Sequence, residues 1–240
     1  MTQLHQSDYI YHHEDQPLVG YLAYDKTSQQ KKPAVLVVHD WSGRNRFACD
    51  KADYLAKLGY VAFAVDMYGN GKVGETVDEK IGLMQSVLHD RRVLRARIQS
   101  ALELVASMDN VDRQRVAVIG FCFGGLCALE LARSGADIRG AVSFHGLLHQ
   151  ADGLDNQVIK SKLLVLHGYN DPSVPPEAVN VFCREMTDAG VDWQVHMYGQ
   201  TVHGFSNPLA NDSEMGIMYN PTAEKRSLQS MTNFLEELFL

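Results

Sequence analysis

The sequence predicts an α/β fold: a mostly parallel, doubly wound sheet of about eight strands with helices on both faces, built by residues 1–240 as a single domain. Three observations carry this. Short, continuous apolar runs alternate along the chain with amphipathic helical stretches, the pattern of buried parallel strands covered by helices. One of those runs passes through a glycine turn directly into a helix-forming stretch at Cys122. The 45% hydrophobic content of 240 residues is enough for a large core.

Taken in order, Tyr9 to His13 and Leu18 to Tyr24 read as an antiparallel hairpin at the sheet edge, turning at Glu14-Asp15-Gln16-Pro17. A polar loop from Lys26 to Lys32 leads into the apolar strand Ala34–Val38. Phe47 to Leu58 reads as a helix stopped by Gly59, and Tyr60–Val65 as the next buried strand. Met67 to Gly74, with three glycines, is expected to be a mobile loop. One long helix is expected between Asp78 and Met108, with an apolar seam through Met84, Val87, Leu88, Leu94, Ile98, Ala101, Leu102 and Val105. Val116–Ile119, Ile138–Phe144, Leu163–His167 and Trp193–Tyr198 complete the strands. Helices follow at Leu126–Ala132, Ala178–Ala189, stopped by Gly190, and Thr222–Phe239. In such a sheet the active groups gather beyond the carboxyl ends of the strands.

Cys122 stands at such an end. Gly120 and Gly124 flank it at the spacing of a nucleophile elbow, with sulfur in place of the usual hydroxyl. The tight turn requires the glycines, because a side chain at either would collide with the adjoining strand and helix. Free N–H groups and the positive end of the following helix would stabilise a thiolate there. The alternative reading is a small buried thiol packed beneath a turn.

A thiol nucleophile needs a base, and the base an acid to orient it. In this topology they follow the nucleophile in the order acid, histidine. Asp171, in the turn past the strand ending at His167, fits the acid, and reads equally as an ordinary turn aspartate. His203, followed by Gly204 after the last strand, fits the base. The other nine histidines have the wrong order or context: His5, His12 and His13 precede the core, His89 lies in the long helix, His196 is within a strand, and His39, His145, His149 and His167 occupy earlier loops. His145 and His149 are four apart, a spacing that serves metals on helices, but without an H-E-x-x-H pattern they read as solvated loop residues. The backbone N–H groups of Phe123 and Trp41 are the candidates for holding an oxyanion, and Trp41 reads otherwise as a wall of the pocket. Arg91 falls on the apolar seam, where an unpaired charge is expensive, so an ion pair is favoured over substrate binding. Arg92, Arg95 and Arg97 read as a solvated face.

The formal net charge of −7 and the lack of long basic runs speak against nucleic-acid and membrane-surface roles, leaving a small molecule as the expected partner. The stretch from Met1 to Asp8 has no leader-like pattern and no run is long enough to span a bilayer, so a cytoplasmic protein is expected. Four cysteines without metal-ligand spacing predict reduced thiols, with Cys49, Cys127 and Cys183 packing within helices, and no metal or cofactor is expected.

With Gly120-Phe121-Cys122-Phe123-Gly124-Gly125, Asp171 before Pro172, His203-Gly204-Phe205 and Asp66-Met67-Tyr68-Gly69, the chain resembles the dienelactone hydrolase family nearly end to end. The resemblance implies an α/β-hydrolase fold, a Cys-His-Asp triad and the cleavage of a small-molecule ester or lactone, a carboxylic ester hydrolase activity. It also implies a substrate-binding or thiol-activating acid just before the oxyanion-hole residue. That position is Asp40 here and glutamate in the members that open dienelactones. Those members hold the substrate carboxylate with an arginine shortly after the histidine, whereas the matching stretch Gly204-Phe205-Ser206-Asn207 has none, and Arg91 is one compensating candidate. An uncharged ester or lactone is thus as well matched as a dienelactone. The competing reading from another class is a non-catalytic small-molecule binder or thiol redox sensor on the same scaffold. The joint presence of Asp171 and His203 argues against it.

Overall fold

The computed structural model describes residues 3–27 and 30–240. Met1 and Thr2 of the N-terminal stretch, and Ser28 and Gln29 of the 26–32 loop, lie outside the described residues. The chain runs β1 (Leu4–His13), β2 (Gln16–Asp25), β3 (Lys32–Val38), α1 (Arg46–Lys57), β4 (Val61–Val65), α2 (Val77–Leu88), α3 (Arg91–Ala106), β5 (Val111–Phe121) and α4 (Phe123–Arg133). It continues through β6 (Gly140–Phe144), β7 (Lys162–Gly168), α5 (Pro176–Asp188), β8 (Trp193–Tyr198), β9 (Asn211–Asp212), β10 (Ile217–Met218) and α6 (Pro221–Phe239).

Eight strands form one sheet in the order β1-β2-β4-β3-β5-β6-β7-β8. The six from β4 to β8 are parallel, and the β1–β2 hairpin adds antiparallel to β4, at the edge where the sequence placed it. The continuous apolar runs are explained by cover on both faces. Ala34, Leu36 and Val38 of β3 enter one core with α3, α4 and α5, while Val35 and Val37 enter the other with α1 and α6. Both cores are held by burial of the kind that contributes about 25 cal/mol per Å² of apolar surface.

The expected single helix over 78–108 is two. Asp90 leaves helical geometry at φ −120° and ψ 97°, and its carboxylate accepts from the N–H groups of Arg92 and Val93, opening α3 afresh. The apolar seam crosses the break because the residues on both sides, Val87 and Leu94, enter the same core. The sequence therefore showed continuous periodicity where a capping aspartate interrupts the helix. His89 accordingly caps α2 rather than lying within a long helix.

The loop after β4 is pinned rather than loose. The buried Asp66 carboxylate accepts four backbone N–H groups, from Val19 (2.9 Å), Tyr68 (2.9 Å), Gly69 (2.9 Å) and Gly71 (2.7 Å). Met67 and Tyr68 are buried with it. Among the described residues no helix is long and apolar enough to cross a membrane.

Candidate active site

β5 ends at Phe121 and α4 begins at Phe123, so Cys122 alone makes the turn, at φ 54° and ψ −114°. A non-glycine residue with positive φ is strained and persists only where its surroundings over-determine it. Here they do. The Cys122 N–H donates to Phe144 O of β6 at 2.9 Å, and its carbonyl accepts from Gly125 and Leu126 at the start of α4. A Cβ on Gly120 would overlap the Gly124 carbonyl, and one on Gly124 would overlap the carbonyls of Val38 and His39. The thiol is half-buried at the mouth of the turn, whereas Cys127 is fully buried in α4.

His203 and Asp171 come together beside it. The Asp171 Oδ2 lies 2.7 Å from His203 Nδ1, and its Oδ1 accepts from the Ser173 N–H at 2.8 Å, which fixes the carboxylate in its turn. His203 is held from behind by β10, through its own N–H to Gly216 O and its carbonyl from Met218 N–H. Burial alone would lower the His203 pKa. The charge of the Cys122 sulfur, the Asp171 hydrogen bond and a hydrogen bond to that sulfur outweigh burial and push it up to about 10. The site thus favours an imidazolium facing the sulfur.

Trp41 and Phe123 flank the same space. Among the described residues neither backbone N–H donates to a protein acceptor, so both are free for an oxyanion. Tyr68, buried and packed on His39 and Phe123, donates its hydroxyl to Trp41 O at 2.9 Å and so fixes the peptide that follows the Trp41 N–H. Asp40 is buried next to it. Its Oδ1 accepts from the Ser42 N–H at 2.8 Å and its Oδ2 from Asn207 Nδ2 at 3.4 Å.

Cys122, His203, Trp41, Phe123, Asp40, Ser42 and Asn207 line one cavity of about 700 Å³, together with residues of α2 and of the 204–217 segment; Asp171 and Tyr68 do not line it. Its size suits a drug-sized ligand. Arg91 does not line it. The Arg91 guanidinium lies 3.0 Å from His149 Nε2 and 3.8 Å from the fully buried Glu130, so it belongs to an ion network beneath α3. Arg95 and Arg97, expected on a solvated face, are also drawn inward: Arg95 pairs with Glu130 at 2.9 Å and Arg97 donates to Met67 O at 2.6 Å. Only Arg92 is exposed. Cys49, Cys127 and Cys183 sit in α1, α4 and α5 as expected.

His145 was not legible as a site residue. Far from being a solvated loop histidine, it is buried at the carboxyl end of β6 and lines the cavity. Its Nε2 lies 2.8 Å from Ser206 Oγ, and its ring meets the His203 ring edge-on, 5.1 Å between centroids. Burial and the neighbouring His203 hold it well below the usual histidine pKa. Its position directly after a buried strand, where active groups collect, was the available signal. His149 is exposed, and among the described residues no group of three or more His, Cys, Asp or Glu could hold a metal. His167 lies inside β7, and His39 is buried with Nδ1 2.6 Å from Asp40 O.

Comparison with known proteins agrees with this architecture. The solved structure titled m3DLH superposes with a TM-score of 0.93 at 36% identity, covering 99% of each chain. The dienelactone hydrolase-like promiscuous phosphotriesterase P91 from metagenomic libraries gives 0.92 at 36% identity, again over 99% of each. A probable 2-oxo-3-(5-oxofuran-2-ylidene)propanoate lactonase of Bradyrhizobium sp. is 30% identical over 183 residues, which is 72% of this chain and 73% of that protein. Residues 18–239 match the dienelactone hydrolase family, and with the eight-stranded α/β-hydrolase sheet carrying these side chains, the chain belongs to that family of hydrolases.

Proposed function

We propose that the chain hydrolyses small-molecule carboxylic esters or lactones through Cys122, His203 and Asp171. The observation that carries this is the alignment on one cavity of a half-buried thiol at an elbow, the His203 imidazole facing it, and Asp171 2.7 Å behind that imidazole. The thiolate attacks the carbonyl carbon, a C–S bond forms, and the carbonyl electron pair moves to oxygen, held by the Phe123 and Trp41 N–H groups. Collapse expels the alkoxide, which takes the proton from His203. Water then loses a proton to His203 and attacks the thioester, and the thiolate leaves. In a lactone the alcohol stays tethered to the acid released.

Asp171 keeps the imidazole in the tautomer and orientation this needs. Asp40 lines the same cavity, and its bonds to Ser42 N–H and Asn207 support a role in shaping the pocket. Arg91 supports the fold through Glu130. A second reaction is favoured by the 36% identity to P91, a promiscuous phosphotriesterase. A neutral phosphotriester presents a phosphoryl oxygen to the same two N–H groups.

The test is turnover of p-nitrophenyl esters, unsaturated lactones and a p-nitrophenyl phosphotriester by the parent, Cys122→Ala and Asp171→Asn. Cys122→Ala should abolish turnover, and Asp171→Asn should lower kcat by roughly 10²- to 10⁴-fold. An intact-mass shift equal to the acyl group should appear on the parent quenched soon after ester addition, and not on Cys122→Ala. Parent-level rates in Cys122→Ala would overturn the assignment in favour of a binder or thiol sensor.

A further inference from the structure

Resting on that reading, we propose that the site selects uncharged esters whose acyl part is an extended apolar group laid along α2, and discriminates against acyl groups that carry a carboxylate. The apolar stripe of α2 is the first observation. Val77, Ile81, Met84 and Leu88 recur at steps of four, three and four, one face of a helix, and all four line the cavity that holds Cys122. An amphipathic helix ordinarily buries this face against its own fold. Here Val87 alone is fully buried, while Val77 and Ile81 remain 45% and 40% exposed towards the hollow.

The wall is built in place. Its N-terminal end is tied to the oxyanion loop by the Gly74 N–H to Ser42 O bond at 2.9 Å and by the Gly43–Val73 bridge, and Thr76 and Glu79 form a capping box. From Val77 to Leu88 it runs about 16 Å. The same cavity is also lined by Leu209, 87% exposed, with Met215 and Ile217. Two apolar segments thus share one cavity with the thiol.

Charge is the second observation. Asp40, Glu75 and Asp212 line the cavity against Lys80, whose ammonium is drawn 5.8 Å above the Trp41 ring, while the His203 imidazolium is already matched by the Cys122 sulfur and Asp171. No arginine is among the lining residues. The Asn207 amide, on the loop after His203, has its donor turned to Asp40. A carboxylate entering would give up hydration to meet a net negative field, a cost that an uncharged acyl chain avoids.

The experiment is kcat/KM on p-nitrophenyl acetate, butyrate, hexanoate and octanoate, with p-nitrophenyl hemisuccinate as the anionic counterpart of butyrate. We expect a rise of roughly threefold per methylene until the chain outruns α2. Hemisuccinate should fall at least about tenfold below butyrate. Ile81→Asp should collapse the octanoate-to-acetate ratio, and Val181→Ser, on the exposed face of α5, should leave it intact. Glu75→Lys, independently, should raise the hemisuccinate-to-butyrate ratio. Cys122-dependent turnover with a flat chain-length series, or with hemisuccinate preferred, would overturn the selectivity and leave the hydrolase reading standing. No Cys122-dependent turnover on any ester would overturn both.

Discussion

His145 and Ser206 join the two loops that frame the candidate nucleophile: the Nε2 of the first lies 2.8 Å from the Oγ of the second, both fully buried. The contact ties the end of β6, which receives the Cys122 N–H at Phe144 O, to the loop that carries His203. His145 keeps its left-handed backbone, φ 39°, to place the ring there. Among the described residues its Nδ1 has no hydrogen-bond partner, so the Ser206 bond is the ring's one hydrogen bond there.

Ser206→Ala should therefore leave a buried imidazole with neither nitrogen bonded. The expected loss is about 1–3 kcal/mol of unfolding free energy, measured as a shift in urea midpoint at constant m-value. If His145 also positions His203, kcat should fall with KM little changed. An unchanged midpoint would show that the bond contributes nothing net.

The histidines set opposite limits to stability on the pH axis. His145, His39 and His167 are each held below the ordinary value, chiefly by burial. The unfolded chain binds their protons near pH 6.5, the native state at lower pH, so stability is full above that value and is lost as pH falls below it. His203 works the other way. Its folded pKa of about 10 lies above the unfolded value, so its contribution is full below about pH 6.5 and is lost as pH rises through 10. Each differing proton changes stability by about 1.4 kcal/mol per pH unit. Urea midpoints from pH 4.5 to 10.5 should show both declines; His203→Gln should flatten the alkaline one and His145→Asn should soften the acid one.

How much of this the sequence disclosed depended on whether the signal was local. β3 and the β5–α4 elbow were plain because a buried strand is a continuous apolar run and because Gly120 and Gly124 fit backbone that no Cβ can share. Asp171 and His203 followed from chain order, their 2.7 Å contact from none of it. The break at Asp90 was hidden because a helix-capping aspartate and a helix-surface aspartate look alike when the apolar period continues. Buried polar residues were hidden more thoroughly. Arg95, Arg97 and His145 carry surface-type side chains, and only their distant partners, Glu130, Met67 O and Ser206, make the interior tolerable to them.

Glu130 is the centre of the largest such case. It is fully buried and meets Arg95 at 2.9 Å, Arg133 at 3.3 Å and Arg91 at 3.8 Å, while Arg133, 1% exposed, reaches Glu185 and Leu148 O as well. Glu130→Gln would remove the one carboxylate shared by three guanidinium groups. Breaking a buried pair from one side costs about 3–5 kcal/mol, because the remaining charge stays desolvated. The expected outcome is a large drop in urea midpoint, partly recovered by Arg95→Met in the same chain. A double-mutant cycle with zero coupling would refute the shared-partner view.

The last prediction concerns Asp66, whose two oxygens divide four N–H donors: Oδ1 takes Tyr68 and Gly69, and Oδ2 takes Val19 and Gly71. An asparagine has the shape to fit but not the chemistry. Whichever way its amide turns, the NH₂ faces two backbone N–H groups and the oxygen only two. Asp66→Asn should therefore be nearly as harmful as Asp66→Ala, each costing about 3 kcal/mol or more, since bonds to a charged acceptor are worth about 1.5–3 kcal/mol apiece. The effect should reach the site. Tyr68 holds the Trp41 carbonyl at 2.9 Å, so freeing the 66–71 turn loosens the residue whose N–H, one peptide earlier, is proposed to hold the oxyanion, and should lower kcat by more than it raises KM. Esterase kinetics beside urea denaturation of both variants would check this. An Asp66→Asn protein of parent stability would mean that the four bonds are dispensable to the loop.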